Sequence, residues 1–263
     1  MENSSSTLLD ILTSVHMKKH LKAIIRCVVL EAMRELAPGQ KPKMIFLAGG
    51  AGSGKSTVLK ALNVHGSDSQ VINPDEAFEE GLRQHNLGLD VAKAETEFFD
   101  IKDRYKAAQE ANDEKTIKEL QPEYDRLSGI AQIRDTLFMS ALAGAKEKAL
   151  GLAQEQHDFI VDGTGGNYNN IATLNDSYKQ LGYDTAMIFV HVELETSLQR
   201  NRERGMRGGR VLRDITIQRS WENVHKNEQP YRELFGSNFF YVDAENLESS
   251  LKAVASKINR FMK

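Results

Sequence analysis

The chain has 263 residues, 40% of them apolar, which is enough to bury one sizeable core. A formal net charge of −3 excludes a global basic field for nucleic acid, and a single cysteine, Cys27, excludes an intramolecular disulfide and suits a reducing compartment. No secretory leader and no apolar run of bilayer length is evident, so a cytoplasmic protein with no membrane partner is expected.

Residues 7–37 carry apolar side chains at helical spacing, from Leu8 and Leu9 to Val29 and Met33, and Pro38-Gly39 stops the pattern. An N-terminal helical extension over 1–40 is therefore expected, ahead of a main domain over 41–263. Cys27 lies in an apolar stretch of it and reads as a buried, inert thiol.

Lys43–Ala48 is a short apolar run that reads as a buried strand, and helix is expected from Ser56 to Leu62. Between them, Gly49-Gly50-Ala51-Gly52-Ser53-Gly54-Lys55-Ser56-Thr57 fits the pattern G-x-x-x-x-G-K-[ST]. The glycines let successive backbone N–H groups turn towards one point, and the following helix adds its positive N-terminal end. Lys55 is placed to reach the β- and γ-phosphates, and the Ser56 hydroxyl to ligate Mg²⁺. Thr57 either touches the α-phosphate or packs in the helix. No guanine-reading Asn-Lys-x-Asp is found, so ATP is the expected nucleotide.

A second strand is read at Gln70–Asn73, followed by Asn73-Pro74-Asp75-Glu76. Open parallel sheets bind ligands at the carboxyl ends of their strands. A carboxylate there can accept the proton of an attacking hydroxyl, which makes Asp75 the candidate base and acceptor-binding residue. Asp75 also suits a helix N-cap, and Glu76 a first-turn acid that complements the helix dipole.

The stretch Leu89–Glu155 has no strand candidate and reads as two or three long helices, with breaks near Ala111-Asn112-Asp113 and at Pro122. Its charges read as solvated faces, and an insertion placed between two strands can also form a lid or a substrate wall.

Asp158–Asp162 reads as the third strand and runs into Asp162-Gly163-Thr164-Gly165-Gly166. An acid after an apolar strand suits ordering of Mg²⁺ or its water, and Thr164 can bond a phosphate or the acceptor; a tight turn closed by Asp162 is the structural alternative.

A fourth strand, Thr185–Val192, precedes Arg200, Arg202, Arg204, Arg207, Arg210 and Arg213, interrupted by Gly205 and Gly208-Gly209. An arginine lid over about 200–214 can stabilise the charge of a phosphoryl group in transfer and exclude water on closing. Two or three of these arginines are expected in the site. A fifth strand follows at Phe239–Val242. His191, His225 and Trp221 read as structural. The fold expected is α/β, a P-loop NTPase three-layer sandwich with a mostly parallel five-stranded sheet, the N-terminal extension and the long helical insertion.

The order of these features resembles the zeta-toxin family of P-loop kinases over about residues 43–245. The resemblance rests on the loop at Gly49–Thr57, Asp75 after strand two, Asp162-Gly163-Thr164-Gly165 after strand three, and Arg200-x-x-x-Arg204 followed by Gly208-Gly209. It implies Asp75 as proton acceptor, Lys55, Arg200, Arg204 and Arg210 as catalytic groups, Thr164 and Arg207 on the acceptor, Ser56 and Asp162 on the metal, and Arg219 as a further basic position. It implies ATP and Mg²⁺, and an acceptor hydroxyl on a small nucleotide such as UDP-N-acetylglucosamine. It also implies an antitoxin-like protein partner, although support of the sheet is the expected role of the N-terminal helix. The insertion and the extension depart from the family core. A polynucleotide 5′-hydroxyl kinase would use the same parts, but no aromatic platform for bases is evident. A non-catalytic ATP-dependent switch is the alternative of another class.

Overall fold

The computed structural model describes residues 40–62 and 70–263. The expected N-terminal extension lies outside them apart from Gln40.

Five strands form one sheet: β1 (Lys43–Ala48), β2 (Gln70–Ile72), β3 (Phe159–Asp162), β4 (Asp184–His191) and β5 (Phe239–Asp243). They lie in the order β2-β3-β1-β4-β5, and every pairing is parallel. The expectation of a mostly parallel sheet is thus met in full. Parallel strands need crossover helices, and these cover both faces. The helices are α1 (Lys55–Ala61), α2 (Pro74–Gln84), α3 (Val91–Glu110), α4 (Glu114–Gln154), α5 (Tyr168–Gln180), α6 (Leu194–Met206), α7 (Asp214–His225), α8 (Glu228–Phe235) and α9 (Leu247–Phe261).

Alternation along β1 divides the core. Met44, Phe46 and Ala48 face a cluster with Ala153 of α4, Tyr178 of α5, Val224 of α7 and Tyr231 of α8. Ile45 and Leu47 face the other side, with Val58 of α1 and Val254 and Ile258 of α9. Burial of each large side chain contributes about 1.5–3 kcal/mol, so the two clusters fix the central strands as the rigid part of the molecule. The result is the three-layer P-loop NTPase sandwich.

Between β2 and β3 the chain builds α2, α3 and α4 around a small core of its own, made by Phe78, Leu82, Val91 and Ala141. The break between α3 and α4 falls where expected. Ala111 closes α3, Asn112 takes φ 51°, and the Asp113 carboxylate caps α4 through Thr116 N. The break expected at Pro122 is absent, because α4 runs unbroken for 41 residues through it. Proline removes one helical hydrogen bond, but packing against α3 holds the helix together there. Leu120 and Leu127 are buried, Tyr105 stacks on Tyr124 at 4.4 Å, and the Tyr105 hydroxyl bonds Gln121.

Candidate active site

The loop after β1 is set by backbone geometry. Gly52 and Gly54 have φ of 80° and 90°, and a Cβ on Gly52 would lie 2.7 Å from the Ser197 carbonyl oxygen. Only glycine is at ease in both respects. The Lys55 ammonium donates to the carbonyl oxygens of Gly49 (2.9 Å) and Gly50 (3.4 Å), and stands 4.0 Å from Asp162 Oδ1. Ala51 N donates to Ser220 Oγ of α7 at 3.3 Å, and the Gly50 backbone lies against that of Trp221. Ser56 and Thr57, in the first turn of α1, are exposed.

Asp162 ends β3 beside this loop. Its Oδ2 accepts a hydrogen bond from Asn73 Nδ2 at 3.1 Å, while Oδ1 is buried and has no hydrogen-bond partner among the described residues. Burial pushes its carboxyl up to about 6, with Asp75 and Glu76 adding to the shift and Lys55 opposing it. Burial likewise pushes the Lys55 ammonium down. Asp162 and Asp75 oppose this; Arg204 and Arg210 add to it. An orphaned buried carboxylate oxygen is the donor that a hard divalent cation takes. The orphaned Asp162 oxygen therefore fits such a cation, and the exposed Ser56 hydroxyl of α1 is the candidate second donor. Among the described residues no cluster of three or more His, Cys, Asp or Glu forms a metal site made of protein alone.

The turn after Asp162 is held from behind. Gly165 has φ 71°, and a Cβ there would lie 2.7 Å from Ala48 Cβ. Its carbonyl oxygen accepts from the Tyr231 hydroxyl (2.6 Å) and from Asn227 Nδ2 (3.2 Å). Gly49 N donates to the Thr164 carbonyl oxygen at 3.0 Å, which ties this turn to the phosphate loop. The Thr164 side chain is exposed beside that junction, its hydroxyl accepting from Gly166 N.

Asp75 lies in the first turn of α2. The N-cap is Asn73, whose Oδ1 accepts from Asp75 N at 2.9 Å, so Asp75 is not the cap and its carboxylate is free for other contacts. Arg210 Nη2 meets Asp75 Oδ2 at 2.8 Å, and Arg210 Nε stands 3.3 Å from Glu79 Oε1, close but not aligned as a hydrogen bond. The Arg210 side chain is only 8% exposed and lies over the Phe78 ring.

The other arginines are sorted by position. Arg200 donates to the carbonyl oxygens of Gly52, Ser53 and Ala244, so it braces the loop from outside. Arg204 is close enough to Lys55 to depress its basicity, and its side chain packs over Gly209. Arg202 pairs with Asp214, and Arg207, 80% exposed, pairs with Glu203 in solvent. Arg213 lies over the Phe99 ring, and Arg219 is exposed. The arginine segment is not loose in this conformation. Val211 N donates to the Leu89 carbonyl oxygen and Ala92 N to that of Val211, while Asn201 bonds both the N–H and the carbonyl of Leu212.

His191 and His225 form a pair at 2.8 Å behind the loop, and Trp221 stacks on His225 with its indole N–H on the Val192 carbonyl oxygen. Burial pushes His225 down. These three residues anchor α7 to the end of β4, as expected. Two contacts at the site are not among those expected from the sequence: Asn73 on Asp162, and the Asn227–Tyr231 clamp on Gly165. Asn73 had a signal, the strand-end Asn-Pro-Asp. Asn227 and Tyr231 had none, being some 60 residues away in the chain.

Among solved structures the chain is similar to a protein of Chloroflexus aurantiacus provisionally named a kinase (12% identity, TM-score 0.49, 85% of this chain and 100% of that one). It is also similar to an RNA repair complex (14%, 0.47, 75% of this chain but 49% of that one, about half its length). A third is the PezAT chromosomal toxin–antitoxin system of Streptococcus pneumoniae (12%, 0.44, 92% and 96%). No curated protein matches the chain. The family model described as an AAA domain matches residues 45–220, a stretch that runs from β1 into α7 and holds the phosphate loop, Asp75, Asp162 and the arginine segment. The chain belongs to that AAA domain family.

Proposed function

We propose that this protein is an ATP-dependent kinase that transfers the γ-phosphoryl group to a hydroxyl of a small nucleotide-type acceptor. The observation that supports this reading is the gathering of Lys55, Asp162, Asp75 and Arg210 at the carboxyl edge of the sheet. Lys55 and Asp162 face each other at 4.0 Å, and Arg210 bonds Asp75 at 2.8 Å.

In this reading the loop N–H groups and the α1 N-terminus hold the phosphates. Lys55 leaves the Gly49 and Gly50 carbonyls and turns to the γ-phosphate. Asp162 and Ser56 would hold Mg²⁺, which would supply neutralisation of phosphate charge. Asp75 accepts the proton of the acceptor hydroxyl as the new O–P bond forms and the bond to the ADP leaving oxygen breaks. Arg204 and Arg210 stabilise the equatorial charge in flight. The resemblance to zeta toxins favours a nucleotide sugar such as UDP-N-acetylglucosamine as acceptor, and a small helical protein as antitoxin-like partner. Solvent-facing Arg207 favours no role on the acceptor in this conformation.

The test is incubation with γ-labelled ATP and a panel of nucleotide sugars, nucleosides and oligonucleotide 5′ ends. Transfer that is lost in Asp75→Ala is expected. ATP hydrolysis without transfer, indifferent to Asp75→Ala, would make the protein a switch instead. Transfer to oligonucleotide ends alone would make it a polynucleotide kinase.

A further inference from the structure

Between the insertion and the arginine segment lies a cavity of about 460 Å³. Phe78 of α2, Phe98 and Phe99 of α3, and Phe138 of α4 contribute its aromatic wall, and Arg134 and Arg210 line it as well. Phe78 meets Phe138 edge-on at 5.4 Å, and Phe98 leans on Phe99 at 5.6 Å. Phe99 and Phe138 are each 40% exposed, so two large apolar rings face open space. Arg210 joins this wall to the reaction site, because the same guanidinium lines the cavity and bonds Asp75.

The charged groups lining the cavity balance in number once Arg210 is set aside. Arg134, Arg210 and Arg213 line it, against Glu95 and Asp135. Arg210 is already neutralised by Asp75 and Glu79. Arg134 and Arg213 have no carboxylate within ion-pair distance among the described residues, and Arg134 Nε is buried without a hydrogen-bond partner. Arg134 is only half-buried on the cavity wall, so its guanidinium, lacking an ion-pair partner among the described residues, can meet an oxygen anion that enters the cavity. Sugar hydroxyls find few partners on four phenylalanine rings. A flat apolar ring finds stacking surface there.

Building on the kinase reading, we propose that this cavity is the acceptor pocket, that it selects an anion with a flat apolar ring, and that Arg134 sets this specificity by binding the anionic group while Phe98, Phe99 and Phe138 hold the ring. The acceptor hydroxyl then points past Arg210 to Asp75. A nucleoside monophosphate and a hydroxylated aromatic carboxylate both join an anion to a flat ring that stacks; a neutral sugar does not.

The probe is 8-anilinonaphthalene-1-sulfonate, a ring with a sulfonate, compared with N-phenyl-1-naphthylamine, the same ring system without it. Fluorescence titration of the full chain is expected to show Arg134→Met weakening the sulfonate dye at least about tenfold, the loss of one charge-assisted hydrogen bond, with the neutral dye unchanged. Phe99→Ser is expected to weaken both dyes. Leu150→Ser, an exposed apolar residue of α4 that does not line the cavity, is expected to weaken neither. Uridine monophosphate or 4-hydroxybenzoate should displace the sulfonate dye, and which one does so identifies the source of the ring; N-acetylglucosamine should not. Sulfonate binding equal in wild type and Arg134→Met, or lost equally in Leu150→Ser, overturns the pocket. ATP titration of the same samples keeps the two readings apart. Failure to bind ATP sinks the kinase and leaves the dye result standing, whereas failure of the dye series leaves the kinase intact.

Discussion

Arg210 Nη2 lies 2.8 Å from Asp75 Oδ2, which joins the arginine segment after α6 to the first turn of α2. The arginine is nearly buried, while the aspartate is 52% exposed. The pair is therefore a hinge point between a fixed cation and a carboxylate that still reaches solvent. Such a carboxylate can exchange one partner for another during a reaction cycle.

Asp75→Asn keeps the shape of that contact and removes the charge that the kinase reading makes the proton acceptor. Phosphoryl transfer is expected to fall by about 10²–10⁴-fold, the usual contribution of a positioned general base, with ATP affinity unchanged. Labelled-phosphate transfer and ATP titration on the same preparation check it. A loss of ATP binding in step with activity would count against the assignment.

Gly52→Ala puts a side chain at φ 80° and 2.7 Å from the Ser197 carbonyl oxygen. The strain is expected to cost about 1–3 kcal/mol in urea unfolding and to abolish ATP binding, because the loop can no longer aim its N–H groups. Wild-type ATP affinity in this variant would mean that the loop does not hold the phosphates.

The arginines divide by what they touch. Arg207→Ala changes stability and turnover by less than about 0.5 kcal/mol, as for an ordinary surface change. Arg200→Ala leaves the Gly52 and Ser53 carbonyls without their side-chain donor and lowers ATP affinity before it lowers turnover. Arg204→Ala lowers turnover with ATP affinity kept. Separate measurement of KM for ATP and kcat distinguishes the three.

Asp162 gives the metal- and nucleotide-free protein a pH-dependent stability. Its folded carboxyl is pushed up to about 6 from its ordinary 3.8, so the folded state holds the proton more tightly than the unfolded one. The stabilisation is fully present below about pH 4 and lost as pH rises through about 6, roughly 3 kcal/mol in all. Asp162→Asn removes it. Urea midpoints between pH 4 and 7 should show the wild type losing stability relative to the variant as pH rises; parallel curves would refute the buried carboxylate.

Tyr231→Phe removes the 2.6 Å donor to the Gly165 carbonyl oxygen while Asn227 Nδ2 keeps its bond at 3.2 Å. The expected cost is about 1 kcal/mol, seen as a lower thermal midpoint with transfer largely retained.

The donor half of the site was legible because its signals are local. A buried strand, glycines at fixed offsets and an acid after β3 each declare themselves within a few residues. The cavity proposed for the acceptor was not legible. Phe98, Arg134 and Arg213 are far apart in sequence, and only the packing of α3 against α4 and the lid brings them together. Pro122 misled for a related reason, since local propensity called for a break that the stacking of Tyr105 on Tyr124 overrides. Gly208-Gly209 suggested looseness, but backbone pairing of Val211 with residues of the insertion cannot be read from glycine content.

That pairing has a consequence for redesign. Leu89 and Ala92 supply the backbone partners of Val211, and Asp90 and Val211 form an isolated parallel bridge. A chimaera that replaces 89–155 with another helical hairpin strips the neighbouring Arg210 of its scaffold. A new acceptor wall therefore has to be transplanted as a cassette with residues 209–213, and a library that varies the two stretches independently will consist mostly of mismatched halves.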